Sequence, residues 1–121
     1  MKAVLLSLGF FLFTWESTFA QCLALRFEEL EALLQHEPAT QIIFFASWCG
    51  SCKKHFEDKT PKKRIFIATF DKKTAAESVM TKFQIQDSCY LDDGIAKRLS
   101  IQSLPQVRLW ENGQIRERSS L

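Results

Sequence analysis

The chain has 121 residues, enough for one domain, and its 16 Lys and Arg against 14 Asp and Glu leave a formal charge of +2. The signs are mixed along the sequence, which argues against a nucleic-acid partner, and the short basic cluster Lys62-Lys63-Arg64 reads as a solvated turn. No internal repeat, low-complexity segment or linker divides it.

Met1-Lys2 precedes an uncharged apolar stretch over residues 3–13, and a more polar segment ends in Ser17-Thr18-Phe19-Ala20. This is the layout of a secretory signal peptide, with Thr18 and Ala20 as the small residues before a cut after Ala20. Residues 1–20 are thus read as the signal peptide and 21–121 as the mature domain. The apolar run is shorter than the about 20 residues of a membrane span, and Glu16 interrupts its extension, so no transmembrane segment is expected after cleavage. An uncleaved anchor is the plainer alternative. A lipoprotein reading through Cys22 fits less well, because Gln21 is a poor small-residue match. Export places the chain where disulfides persist. Of its four cysteines, Cys49 and Cys52 form the local pair, while Cys22 and Cys89 are either free or paired with each other.

Past the cut, Leu25, Phe27, Leu30, Leu33 and Leu34 recur at helical spacing among Glu28, Glu29 and Glu31, predicting a helix closed by Pro38. The nearly continuous apolar run 41–46 predicts a strand covered on both faces. A helix over 49–59 follows, stopped by Thr60-Pro61, and residues 64–70 form a second core strand. After a turn at 71–74, Thr74 and Glu77 have the spacing of a capping box, with Val79, Met80 and Phe83 as the buried stripe of the helix behind it. Residues 88–91 read as a short strand. Asp92-Asp93-Gly94 turns into a short helix through Ala96 and Leu99. Residues 107–110 are a strand, and Asn112-Gly113 turns the chain back through Ile115. Early βαβ-like units with an antiparallel end make an α/β fold, a mixed sheet flanked by helices.

The chemistry concentrates in Trp48-Cys49-Gly50-Ser51-Cys52-Lys53, directly after the first core strand. A cysteine at the first turn of a helix meets unpaired backbone amides and the positive end of the helix dipole, which stabilises a thiolate. Cys49 is therefore the candidate nucleophile. Cys52, one turn further in, is placed to resolve a mixed disulfide. Gly50 offers no side chain to hinder an incoming disulfide, and Ser51 suits a first helical turn. Lys53 adds favourable potential unless solvation screens it. Trp48 either shields the thiolate and contacts a substrate chain or is a partly buried strand-end aromatic. His55 reads as a surface histidine. The plainer readings of the pair are an inert disulfide or half of a zinc site, and zinc lacks a second close-spaced Cys/His pair.

The stretch Phe44-Phe45-Ala46-Ser47-Trp48-Cys49-Gly50-Ser51-Cys52-Lys53 resembles the active-site segment of the thioredoxin superfamily, which is more specific than two spaced cysteines. Asp92-Asp93-Gly94-Ile95-Ala96, leading to Ser103-Leu104-Pro105-Gln106, resembles exported thioredoxin-like thiol–disulfide proteins, and the likeness runs over residues 27–115. The resemblance implies a cis peptide at Leu104-Pro105 beside the dithiol, with Leu104, Pro105 and Gln106 as the substrate-binding loop. Gln106 stands where a threonine is common. The helix after Cys52 lacks the mid-helix proline of many members. For the buried acid that assists the resolving cysteine in relatives, Glu77 is the one candidate. Members also add a helix after the hairpin. Here the sequence given ends in Arg116-Glu117-Arg118-Ser119-Ser120-Leu121, so the fold is expected to lack the usual C-terminal helix and to rely on a shifted N-terminal helix or a partner to cover its sheet.

The function this implies is thiol–disulfide exchange on exported protein substrates, periplasmic or otherwise outside the cytosol, through Cys49 and Cys52. It is an oxidoreductase activity without cofactor or metal, served by a redox donor or acceptor protein. The rival is a non-catalytic thioredoxin-like binding or structural protein in which Cys49–Cys52 is a stable bridge. Peroxide reduction is a further rival, but relatives of that type organise their reactive cysteine differently.

Overall fold

Ile42-Ile43-Phe44-Phe45 and Ile65-Phe66-Ile67-Ala68 carry no polar side chain to show to water, and both are buried along their whole length. In the computed structural model, which describes residues 20–117, they are the two central strands of one sheet. Residues 1–19 of the expected signal peptide 1–20, and residues 118–121, lie outside the described residues.

The elements run β1 (Cys22–Leu25), α1 (Phe27–Leu34), β2 (Thr40–Phe45), a 3-10 turn (Gly50–Cys52) continuing into α2 (Lys53–Glu57), β3 (Arg64–Ala68), α3 (Lys73–Lys82), β4 (Ser88–Asp92), α4 (Ile95–Arg98), β5 (Gln106–Glu111) and β6 (Gln114–Glu117). The sheet order is β1-β4-β3-β2-β5-β6. The first four strands in that order are parallel, and β5 and β6 are added antiparallel, so the sheet is mixed as expected.

Alternation along the strands sorts the core into two layers. Ile43, Phe45, Phe66 and Ala68 pack with Phe56, Ala76 and Met80 under α2 and α3. Ile42, Phe44, Ile65 and Ile67 pack with Leu30, Leu34, Ile95 and Ala96 under α1 and α4. Each fully buried Phe, Leu or Ile is worth about 1.5–3 kcal/mol relative to exposure, so these two layers are the main term holding the sheet between its helices.

Three expectations about local structure need correction. Leu25 belongs to strand β1, and the helix begins only at Phe27. The spacing of Leu25 to Leu34 mimics a helix, but Cys22–Leu25 pairs in parallel with Cys89–Asp92, a partner far away in the chain. The second core strand stops at Ala68, two residues early. Thr74 is not a helix cap: the N-cap position of α3 is Lys72, whose side chain makes no capping bond, and Glu77 accepts the Cys22 N–H (2.9 Å) in place of reaching back along its own helix. Docking of β1 thus competes for Glu77 and wins.

Cys22 and Cys89 are register partners on β1 and β4 and form a disulfide with Cα atoms 4.6 Å apart. Both are buried, so the edge strand is held by a covalent tie as well as by its ladder. The hairpin turn is as the sequence suggests, with Asn112 and Gly113 at φ 55 and 76, the two positive values of a type I′ turn.

Candidate functional site

The site lies beyond the C-terminal ends of the neighbouring parallel strands β2 and β3, where αβ sheets expose backbone and helix starts together. The register that pairs Phe45 with Ala68 brings residues 46–48 alongside 69–71 as the strands run out. Thr69 donates its N–H to Phe45 O (2.8 Å), which carries the pairing one step past the strands.

Two further contacts then fix the segment before Cys49. Asp71 accepts the Ser47 N–H (2.6 Å) and the Ser47 hydroxyl (2.9 Å), one on each carboxylate oxygen. Its Oδ1 also accepts the Lys72 N–H (2.9 Å) at the start of α3. The Trp48 indole N–H donates to Phe70 O (2.9 Å). Cys49 N–H closes back on Ala46 O (3.1 Å), and Cys52 N–H on Cys49 O (3.1 Å), so the chain turns sharply from strand into helix. Charge-assisted bonds of the Asp71 type are about twice as strong as neutral ones, which makes Asp71 the main anchor of this turn.

Cys49 and Cys52 form a disulfide with Cα atoms 5.4 Å apart. Cys49 retains 8% exposure and Cys52 none. An incoming sulfur therefore reaches Cys49 first and can meet Cys52 only after the pair has opened. Gly50 has open space where a Cβ would stand, and Gly50 and Ser51 are both exposed, so the approach to Cys49 is unobstructed from that side. Trp48 is 63% exposed, so it is not the partly buried strand-end aromatic of the second reading. Lys53 is exposed and paired with Glu57 at 3.8 Å across one helical turn, a contact worth about 0.3–0.5 kcal/mol.

The Leu104–Pro105 peptide is cis. Leu104 packs against both core layers, one of which contains Cys49 and Cys52. Gln106 stands apart from them: its amide accepts Arg108 Nη1 (2.9 Å) and faces Ser103 Oγ (3.3 Å). Its register partner is Phe44, which belongs to the layer under α1 and α4, on the opposite face from the disulfide.

Glu77 serves β1, through the Cys22 amide and an ion pair with Lys73 at 4.0 Å. Among the described residues the buried polar groups are Thr40, Arg64, Thr69 and Arg108, none of them acidic. His55 is half-buried, and its carbonyl accepts Arg64 Nη1 (2.9 Å). Arg64, buried over the Phe66 ring and paired with Asp87 at 3.4 Å, thereby ties α2 to β3. At the far end of α2, the Thr60 N–H and hydroxyl hold the exposed Asp58 carboxyl below its ordinary 3.8. Phe70 and Asp71 are the site residues that the sequence alone did not reveal. The sequence placed Phe70 at the end of the second core strand, where the structure instead leaves it 57% exposed beyond β3, and Asp71 at the start of the following turn.

A family model described as Thioredoxin matches residues 21–120. A curated relative, a probable protein disulfide-isomerase A4 of Caenorhabditis elegans, is 26% identical over 90 residues, covering 72% of this chain but only 12% of that protein's length. Among solved structures, a secreted Mycobacterium tuberculosis disulfide oxidoreductase homologous to E. coli DsbE aligns with a TM-score of 0.60 at 19% identity, covering 74% of each chain. A thiol-disulfide isomerase from Corynebacterium glutamicum aligns at 0.54 and 13% identity, over 66% of this chain and 68% of that one. At these identities the two structures show the fold. No helix among the described residues is long and apolar enough to cross a membrane.

Proposed function

The chain belongs to the thioredoxin family, and from that premise we propose that it is a thiol–disulfide oxidoreductase acting on exported, cysteine-containing proteins. The observation that carries this reading is the place of the bonded pair: Cys49 stands at the start of a helix between exposed Trp48 and Gly50, and Cys52 is fully buried behind it. In the reduced form the Cys49 thiolate attacks a substrate disulfide. A Cys49–substrate S–S bond forms, and the second substrate sulfur leaves as a thiolate. Cys52 then attacks Cys49 Sγ, closes the 49–52 bond and releases the first substrate sulfur, so two electrons and two protons pass to the substrate. The same steps run in reverse when the bonded form meets a substrate dithiol. The potential of the partner couple, supplied by a redox donor or acceptor protein, sets the direction.

Backbone amides at the start of the helix stabilise the leaving and attacking Cys49 thiolate. The cis peptide at Leu104–Pro105, which the resemblance implied, supports a reading of this loop as the one that offers backbone groups to an extended substrate strand. Export is supported by the layout of residues 1–20 and by the buried Cys22–Cys89 disulfide, since such bonds persist outside the cytosol.

Trapping tests the reading. Cys52→Ala leaves Cys49 unable to be resolved, so mixed disulfides with substrate proteins are expected to accumulate in oxidised extracts and to disappear on adding dithiothreitol. The double variant with Cys49→Ser is expected to capture none. Equal capture by both, or none by either, contradicts the proposal.

A further inference from the structure

The two buried arginines of the sheet differ in their partners. Arg64 lies over the Phe66 ring, pairs with Asp87 and donates to the His55 carbonyl. Arg108, on β5, is also buried, yet among the described residues it pairs with no carboxylate. Glu117, its register partner on β6, is exposed and forms no ion pair with it. The guanidinium bonds instead to the neutral amide of Gln106.

Donor and acceptor chemistry fixes the direction of each bond in this chain of side chains. A guanidinium only donates, so the Gln106 amide turns Oε1 to Arg108 Nη1 (2.9 Å). That leaves Nε2, which also only donates, to face Ser103 Oγ (3.3 Å). The Ser103 oxygen therefore accepts, and its own proton is turned away from Gln106. Ser103 is exposed and stands two residues before Pro105. The register that pairs Phe44 with Gln106 sets the start of β5 beside the end of β2, where the dithiol turn begins. Burying a charge is costly unless it is paired, and an apolar side chain of similar volume often serves stability as well as a buried ionic group. Core packing thus does not account for Arg108. A hydroxyl donor backed by an uncompensated positive charge suits an anionic acceptor, because charge-assisted bonds are about twice as strong as neutral ones.

We propose that Arg108, acting through Gln106, presents the Ser103 hydroxyl to a substrate carboxylate, so that polypeptides with an acidic residue beside the reacting cysteine are preferred. This rests on the exchange reading of Cys49 and Cys52, with residues 103–106 in the loop that meets substrate. Ser103 makes the contact. Gln106 and Arg108 are positioning residues, which set the polarity of the hydroxyl and supply the charge behind it.

The test uses two short peptides, each joined through its one cysteine to a chromogenic aryl thiol. One has Glu on both sides of the cysteine and the other has Gln. The Cys49 thiolate attacks the peptide sulfur, and the aryl thiolate leaves and is read by absorbance. Cys52 then attacks Cys49 Sγ, closes the 49–52 bond and releases the peptide thiolate. Each rate is divided by that of dithiothreitol with the same peptide, which removes the intrinsic reactivity of its disulfide. Wild type is expected to favour the Glu peptide about fivefold, the size of one net hydrogen bond to a charged partner at the surface. Ser103→Ala, which changes no charge, and Arg108→Met are each expected to lower the ratio to about twofold or less. Glu117→Gln is expected to retain the wild-type ratio.

Gln106→Glu separates the relay from stability. The introduced carboxylate accepts from Arg108 and from the Ser103 hydroxyl alike, turning that proton inward and neutralising the buried charge. This variant is expected to withstand urea at least as well as wild type while its ratio falls to about one. If the three residues served stability alone, its ratio would equal that of wild type. A loss of folded protein lowers both rates together and leaves the ratio unmoved. A ratio near one in wild type, or one unchanged in both Ser103→Ala and Gln106→Glu, overturns the carboxylate contact while chromophore release still supports exchange. No release from either peptide, or release that survives Cys49→Ser, overturns both.

Discussion

At the residue scale, the site depends on one carboxylate. Asp71 receives two donors from Ser47 and one from Lys72, and so holds the turn before Cys49 against the start of α3. Removing it strands the Ser47 amide in a part-buried position. Losing hydrogen bonds to a charged group costs about 1.5–3 kcal/mol. Asp71→Ala is therefore expected to lower stability by about 2 kcal/mol in urea unfolding and to slow exchange at Cys49, with Asp71→Asn recovering part of both through its remaining carbonyl oxygen. Unchanged unfolding and exchange in the Ala variant would remove Asp71 from the account. By contrast, Lys53 is exposed and paired to Glu57, and solvent screens what it adds to Cys49.

At the element scale, β1 is an edge strand of four residues with one neighbouring strand and Leu23 left in solvent. Its Cys22–Cys89 bond closes a loop of sequence separation 67, for which chain entropy gives about 4 kcal/mol of stabilisation. Replacing both cysteines with Ala is expected to lower the unfolding free energy by about 2–4 kcal/mol, read by urea denaturation, while trapping through Cys49 persists. Loss of trapping in a variant that remains folded would show that the second bond takes part in the chemistry. The elements also show what a sequence can carry. β2 and β3 were legible because nearly every residue in them is apolar, and the dithiol because it follows directly on β2. β1 was not, since four residues give too few repeats to tell a strand from the helix behind it, and its pairing with β4 is non-local. The Thr74–Glu77 spacing misled for the same reason: the carboxylate found its partner across the fold, at Cys22. Phe70 and Asp71 were hidden because their roles arise only when β3 ends beside β2.

At the scale of the whole molecule, two disulfides sit in one hydrophobic layer under α2 and α3, yet they are placed for different work. Cys22–Cys89 joins two strands inside the sheet, with both sulfurs buried and each strand held by its ladder. Cys49–Cys52 closes a turn at the end of the sheet, at the start of a helix and flanked by exposed Trp48, Gly50 and Ser51. The central claim is that the second bond turns over in the native protein while the first does not. A redox titration of the folded protein, with thiols alkylated and read by mass spectrometry, tests this directly. The account predicts a reversible two-electron transition confined to Cys49 and Cys52, with Cys22 and Cys89 alkylated only after denaturation. A Cys49–Cys52 bond that stays closed until the protein is unfolded would contradict it and leave the pair a structural bridge.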